Sequence, residues 1–188
     1  MPMVQHGLAR SAFPFTRGRC EPGRRMVAGM TLRFGSLRVP TTVHWPRVTT
    51  AWLTLVLSDE LSPTDPWVAS SVVIALPGRH PGWLELATLH WAGEHAGELG
   101  AAGERLLVAG GARAAMLALA ARDAGWPLLS RQLVVRPEFT RSQRIPDDVA
   151  GAPPAIVVCG EDDDGSRYAA RLRAAGVEVH EVRDRDCG

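Results

Sequence analysis

Apolar runs alternate along the chain with stretches that have helical periodicity. Eight stretches have the pattern of strands: 31–34, 41–45, 52–57, 68–77, 105–109, 132–135, 155–159 and 177–182. Several of them are unbroken runs of valine, isoleucine, leucine and alanine, which is typical of a sheet covered on both faces.

Three stretches between these runs have helical spacing. Residues 84–99 place Leu86, Leu89, Ala92, Ala96 and Leu99 on one face, with Gly100 as the expected C-cap. An alanine-rich helix follows the Gly110-Gly111 pair up to Asp123, and Gly125 and Pro127 stop it. The third, 166–175, aligns Tyr168, Leu172 and Ala175, with Gly176 as its C-cap. This alternation predicts an α/β fold with a mainly parallel, doubly wound sheet.

Composition narrows the protein class. The chain has 188 residues, of which 46 % are hydrophobic and 22 % charged, as expected for one globular domain with its own core. No apolar run approaches the roughly 18 residues that a membrane span needs. Cys20, Cys159 and Cys187 are too few and too scattered for a disulfide framework or a zinc site. We therefore predict a soluble, cytoplasmic protein without metal or cofactor.

Basic charge is concentrated near the start of the chain. Residues 1–47 hold eight arginines and one acid, Glu21, whereas residues 48–188 hold 13 arginines and 19 acids. We predict a disordered arginine-rich extension over 1–29, followed by a single domain over 30–188. Nucleic-acid contact and targeting are alternatives, and neither is favoured, because the arginines are not interleaved with aromatic residues in a stacking pattern. Translation from Met26 or Met30 is a further alternative.

From residue 50 onward the sequence resembles the esterase/lipase group of α/β-hydrolases that includes hormone-sensitive lipase. The resemblance lies in six segments that occur in the family's order: 91–100, 104–110, 117–128, 153–158, 161–163 and 168–179. It implies an α/β-hydrolase core and an ester-hydrolysing ancestry. The core is shortened at 60–67 and 137–153 and lacks the C-terminal helix that covers one sheet face. We therefore expect exposed apolar sheet surface and a homodimer or partner protein on it.

The family's catalytic pattern is incomplete in this sequence. Ala112 stands at the nucleophile position of the G-x-S-x-G turn, and Arg113 follows where a small residue is usual. Residues 58–60, Ser-Asp-Glu, replace the glycine-rich oxyanion loop. Asp163 fits the family's acid position, but His180 lies inside a predicted strand rather than in the loop where the family's histidine lies.

We predict a catalytically impaired member of the family that binds a small, ester-like molecule or a partner at the former cleft. One alternative is an active ester hydrolase that uses Ser58, Ser71 or Cys159 as nucleophile. Another is a non-enzymatic binding protein or a truncated product that does not fold alone. These alternatives remain open at the level of sequence.

Other chemistry-bearing residues are predicted to have structural roles. They are the thiol of Cys159 at a strand end, the acidic turn 161–164, the helix histidines His90 and His95, His80 in a loop, and Trp83 and Trp91 in the core. The Gly110-Gly111 pair with Arg113 would be a phosphate cradle, but the lysine-containing element of such loops is missing.

Overall fold

The computed structural model describes residues 26–46, 52–57, 61, 65, 68–140, 144–160 and 164–183. In this part of the chain one sheet contains β1 (Met26–Phe34), β2 (Leu37–Trp45), β3 (Leu53–Val56), β4 (Val72–Ala75), β5 (Leu106–Gly110), β6 (Arg131–Val135), β7 (Ala155–Cys159) and β8 (Val179–Arg183). The helices are α1 (Gly82–Glu94), α2 (Ala112–Ala124) and α3 (Asp164–Ala174), and Gly103–Arg105 form a 3-10 turn.

The sheet has the strand order β1-β2-β4-β3-β5-β6-β7-β8. The β1–β2 and β2–β4 pairs are antiparallel, and the pairs from β4 to β8 are parallel. The predicted α/β class with a mainly parallel sheet is therefore confirmed.

The direction in which the chain crosses the sheet decides which face each connection covers. From β4 onward every step goes toward β8, whereas the step from β3 to β4 goes the other way. Right-handed crossovers therefore put the β3–β4 connection on one face and all three helices on the other. The packing agrees, because Leu61 and Val68 of that connection lie in a cluster that contains no residue of α1, α2 or α3.

The helix-free face is buried at the inner strand positions that the structure describes. Its strand side chains Val56, Val73, Ala109, Leu133 and Val158 are each at most 3 % exposed. The expected exposed apolar sheet surface is thus wrong for these residues, and Leu61 and Val68 of the β3–β4 connection belong to the same buried cluster. A homodimer or partner at this face stays a prediction.

Two element boundaries differ from those predicted. Residues 26–29, assigned to the extension, are the first residues of β1 and pair with residues 42–45 of β2. Cross-strand pairing, which local sequence does not reveal, lengthens both strands to nine residues. The first helix ends at Glu94, and 95–100 form turns, so Gly100 is not its C-cap.

Three further predictions concern burial and helix ends. Trp91 is buried at 5 % exposure, but Trp83 is 59 % exposed, so its assignment to the core is wrong. Trp83 is the second residue of α1, on the side away from the sheet. Ala175, one residue after the end of α3, is also exposed. Gly125 caps α2 in the left-handed conformation, as predicted.

A buried polar chain joins α3 to the sheet. The Tyr168 hydroxyl donates to Gln132 Oε1 at 2.9 Å, and Gln132 Nε2 donates to the Pro153 carbonyl at 2.9 Å. Tyr168 and Gln132 are both 0 % exposed. Such groups are tolerated in a core only when hydrogen-bonded, so the pair fixes the position of α3 on β6.

Titration of the tyrosinate absorbance will report on Tyr168 alone, because the chain contains one tyrosine. Burial raises the pKa of Tyr168 to about 12, whereas an unfolded tyrosine has a pKa of about 10. Stability from the neutral phenol is therefore present below pH 10 and is lost as the pH rises through 12. We expect a midpoint of about 12 in buffer and about 10 in guanidinium chloride. A midpoint of about 10 in both would contradict the buried site.

Candidate active site

The carboxyl ends of β3, β5, β6 and β7 lie at one edge of the sheet, because these strands are parallel neighbours. In open α/β sheets, ligands bind outside this edge, near the point where the strand order reverses. The reversal here places β3 and β5 side by side, and the turn from β5 into α2 holds the predicted nucleophile position.

Glycines make the turn from β5 into α2. Gly110 has φ +150°, a conformation that side chains disfavour, and Gly111 has φ −81° and ψ −141°. Ala112 is the first residue of α2 and is 7 % exposed. Among described residues other than glycine, Arg136 alone has a positive φ. Ala112 therefore lacks the backbone strain that lifts a nucleophile out of such a turn.

Arg113 is tied to α1 and to the loop before it. Its Nε donates to Glu85 Oε1 at 2.9 Å, its Nη2 pairs with the same oxygen, and its Nη1 donates to the Gly78 carbonyl at 2.7 Å. The side chains of Glu85 and Arg113 are 7 % and 19 % exposed. The guanidinium is thus directed at Glu85 rather than at a phosphate held by Gly110-Gly111.

Cys159 ends β7 as predicted and is 4 % exposed. Its Sγ lies 3.5 Å from Glu181 Oε1 and 3.6 Å from Ser166 Oγ. Burial is the main cause that raises the pKa of the Cys159 thiol, and the Glu181 carboxylate raises it further. Arg173 donates to Glu181 Oε2 at 2.8 Å and holds the pKa of that carboxyl below its usual value. These surroundings keep the thiol protonated.

Ser71 is also buried, at 4 % exposure. Its Oγ donates to the Val68 carbonyl at 2.7 Å and accepts from Thr54 Oγ1 at 2.8 Å. The hydroxyl proton is therefore directed at a carbonyl that cannot act as a general base. Ser58, the third candidate nucleophile, lies outside the described residues, as do Asp59 and Glu60.

Five histidines lie in the described part of the chain, and three of them contact a residue close by in sequence. His44 lies 3.1 Å from Thr42 Oγ1, His80 lies 2.8 Å from the Pro77 carbonyl, and His95 lies 2.8 Å from the Trp91 carbonyl. His90 meets the Trp126 ring edge-on, and His180 is exposed on β8. The predicted strand position of His180 is confirmed.

Asp163, the predicted acid, lies outside the described residues together with Glu161 and Asp162. The next acid, Asp164, starts α3, pairs with Arg167 at 2.6 Å and accepts the Phe139 N–H at 2.9 Å. Within the described ranges, no three histidine, cysteine or acidic side chains are grouped to hold a metal ion. The same ranges contain no helix that is both long and apolar enough to cross a membrane.

Sequence reasoning missed the Arg113–Glu85 pair, although a signal for it exists. Glu85 falls on the helical phase of Leu89, Ala92 and Ala96, so an acid stands on the apolar face of α1. A carboxylate on such a face requires a partner, because an isolated buried charge is strongly unfavourable.

Comparisons with known proteins agree on one kind of relative. No protein-family model matches the chain. It is similar to Carboxylesterase NlhH of Mycobacterium tuberculosis, with 27 % identity over a 221-residue alignment that covers 77 % of this chain and 68 % of that protein. Since 77 % of a 188-residue chain is shorter than the alignment, NlhH contains internal stretches without a counterpart here.

Three solved esterases have a similar fold. An esterase from Pseudomonas putida superposes with a TM-score of 0.70 and 23 % identity, covering 88 % of this chain and 74 % of that one. The Pyrobaculum calidifontis esterase gives 0.73 and 19 %, covering 84 % and 75 %. Esterase LipW from Mycobacterium marinum gives 0.70 and 22 %, covering 85 % and 72 %.

Proposed function

We propose that the chain is a member of the esterase/lipase group of the α/β-hydrolase fold and that it keeps the scaffold of an ester hydrolase without the serine-based reaction. The observation that carries this proposal is the turn from β5 into α2. Ala112 offers a methyl group where the reaction needs a nucleophile, and it is buried in an unstrained helix start. A methyl group cannot attack a carbonyl carbon.

The family's oxyanion hole is the second feature that bears on this proposal. In the family's turn, the backbone N–H of the residue after the nucleophile stabilises the oxyanion that forms during ester cleavage. Here that residue is Arg113, whose side chain is held by Glu85 and by the Gly78 carbonyl. The other half of the family's oxyanion hole would come from residues 58–60, whose sequence, Ser-Asp-Glu, contains no glycine and two acidic residues.

An active hydrolase with a different nucleophile is the second candidate function, and the geometry does not favour it. The Cys159 thiol is buried beside a carboxylate, which disfavours the thiolate that would react. The Ser71 hydroxyl donates to a carbonyl. Ser58 lies outside the described residues, so the structure does not test it as a nucleophile.

The role that remains for this scaffold is binding. We propose a small, ester-like molecule at the carboxyl edge of the sheet as the ligand, because that edge is where α/β sheets hold ligands. A partner protein, or a chain that does not fold alone, is the alternative. The Tyr168 titration tests whether the chain folds alone, since in a chain without a folded core the pKa of Tyr168 would not be shifted.

Incubation of the purified full chain with a fluorophosphonate probe tests the loss of the reaction. We expect an unchanged intact mass and no hydrolysis of p-nitrophenyl acetate or butyrate above the buffer rate. NlhH, assayed beside it, is the positive control. A stoichiometric adduct would contradict the proposal, and peptide mapping would then show whether Ser58 or Ser71 carries it.

A further inference from the structure

We propose that Arg113, Glu85 and the Gly78 carbonyl form a clamp that fixes the start of α2 in its unstrained conformation. The clamp is defined by the three contacts from the Arg113 guanidinium. This inference goes beyond the loss of the reaction, because it assigns a cause for the shape of the turn. The experiments that test it measure thermal stability, so their outcomes do not depend on whether the protein hydrolyses esters.

The clamp joins three separate parts of the chain. Arg113 is the second residue of α2, Glu85 lies in the first turn of α1, and Gly78 lies between β4 and α1 with φ +77°. All three guanidinium nitrogens are engaged, through Nε and Nη2 with Glu85 and through Nη1 with Gly78. A planar fork held at every nitrogen fixes the guanidinium relative to α1 and to the loop before it, and so ties the start of α2 to both.

The charges make the two side chains depend on each other. Glu85 lies in the first turn of α1, where the helix dipole favours an acid, but its carboxylate is nearly buried and needs a counter-charge. Arg113 lies in the first turn of α2, where the dipole disfavours a cation. Arg113 is therefore held in place by Glu85 and Gly78 rather than by its own helix.

The consequence concerns Ala112. A strained turn at this residue would require the backbone on both sides of it to rotate, which would move the Arg113 fork away from Glu85. That movement would leave a buried carboxylate without its partner. The clamp thus favours the negative φ of Ala112 over the positive φ of a strained turn.

A double-mutant cycle measures the coupling. We expect Arg113→Met and Glu85→Leu each to lower the Tm by about 6–20 °C, because each leaves one buried charge. The double variant replaces both charges with apolar groups and should lose less than about 5 °C. Arg167→Met removes an exposed pair with Asp164 and serves as the matched control. Additive losses in the double variant would overturn the clamp.

Ala112→Gly tests the turn itself, even if the single clamp variants fail to fold. Glycine destabilises a helical position but relieves a strained, positive-φ position. We expect it to lower the Tm of the full chain by about 1–4 °C, and we expect the same loss for the matched control Ala120→Gly within α2. In the Glu85→Leu/Arg113→Met background the loss should shrink or become a gain. A raised Tm in the parent chain, or an identical loss in both backgrounds, would overturn the proposal.

Discussion

The Ala112→Ser variant is expected to hydrolyse p-nitrophenyl acetate no faster than the parent chain. The new hydroxyl would stand at the start of α2, in a site 7 % exposed, without the strain that presents a nucleophile. In a serine protease triad, the loss of the nucleophile or of the histidine alone costs about 10⁶ in kcat. If, as we propose, the family's base is lost, restoring the serine should therefore leave the rate about 10⁶ below that of a complete triad.

Intact-mass analysis with a fluorophosphonate and an ester assay will check this variant. Ala120→Ser adds the same hydroxyl to the middle of α2 and is the matched control. Turnover of Ala112→Ser well above that control would mean that a base and an oxyanion hole exist after all. It would contradict our interpretation of His180 and of residues 58–60.

The Val158→Asp variant is expected to lose about 3–5 kcal/mol of unfolding free energy, or to fail to fold. Val158 lies on the helix-free face of β7 and is 2 % exposed, so the substitution would bury an unpaired carboxylate. Guanidinium chloride unfolding followed by tryptophan fluorescence measures the difference. A large loss of unfolding free energy would show that the helix-free face is covered at Val158 in solution.

His180→Asp is the control for that experiment. His180 pairs in register with Ile156, two residues before Val158, so it lies on the same face, and it is exposed. We expect a change within about 0.5 kcal/mol there. If Val158→Asp is tolerated as well as the control, the face is open to solvent and our account of its covering is wrong.

The sequence predicted correctly those strand and helix boundaries that depend on neighbouring residues. The β7 run at 155–159 has the predicted bounds, and Gly125 ends α2 as its position suggested. Tertiary contacts decided the rest. Pairing with β2 extended β1 back to Met26, and the first helix ended at Glu94 although Ala96 and Leu99 stay buried. Hydrophobic periodicity marks burial, and burial continues through the turns that follow this helix.

The candidate site was predicted in part. The G-x-S-x-G pattern consists of consecutive residues, so the sequence alone was sufficient to place Ala112 at its nucleophile position. The same pattern could not show that Glu85, 28 residues earlier, binds Arg113, because this contact joins two helices. The same limit applies to Tyr168 and Gln132, which are 36 residues apart and meet only in the folded chain.

The sheet also implies an order of assembly. The β1–β2 hairpin pairs residues that are close in sequence, from Phe34 with Leu37 to Met26 with Trp45. In contrast, β3 reaches β5 across the span from Leu53 to Leu106, so its loop must close before any contact forms. Local hairpins form in about 1–10 μs, whereas non-local parallel pairing is slow. The hairpin is thus the fast part of this fold, and the centre of the sheet that carries the turn at Ala112 is the slow part.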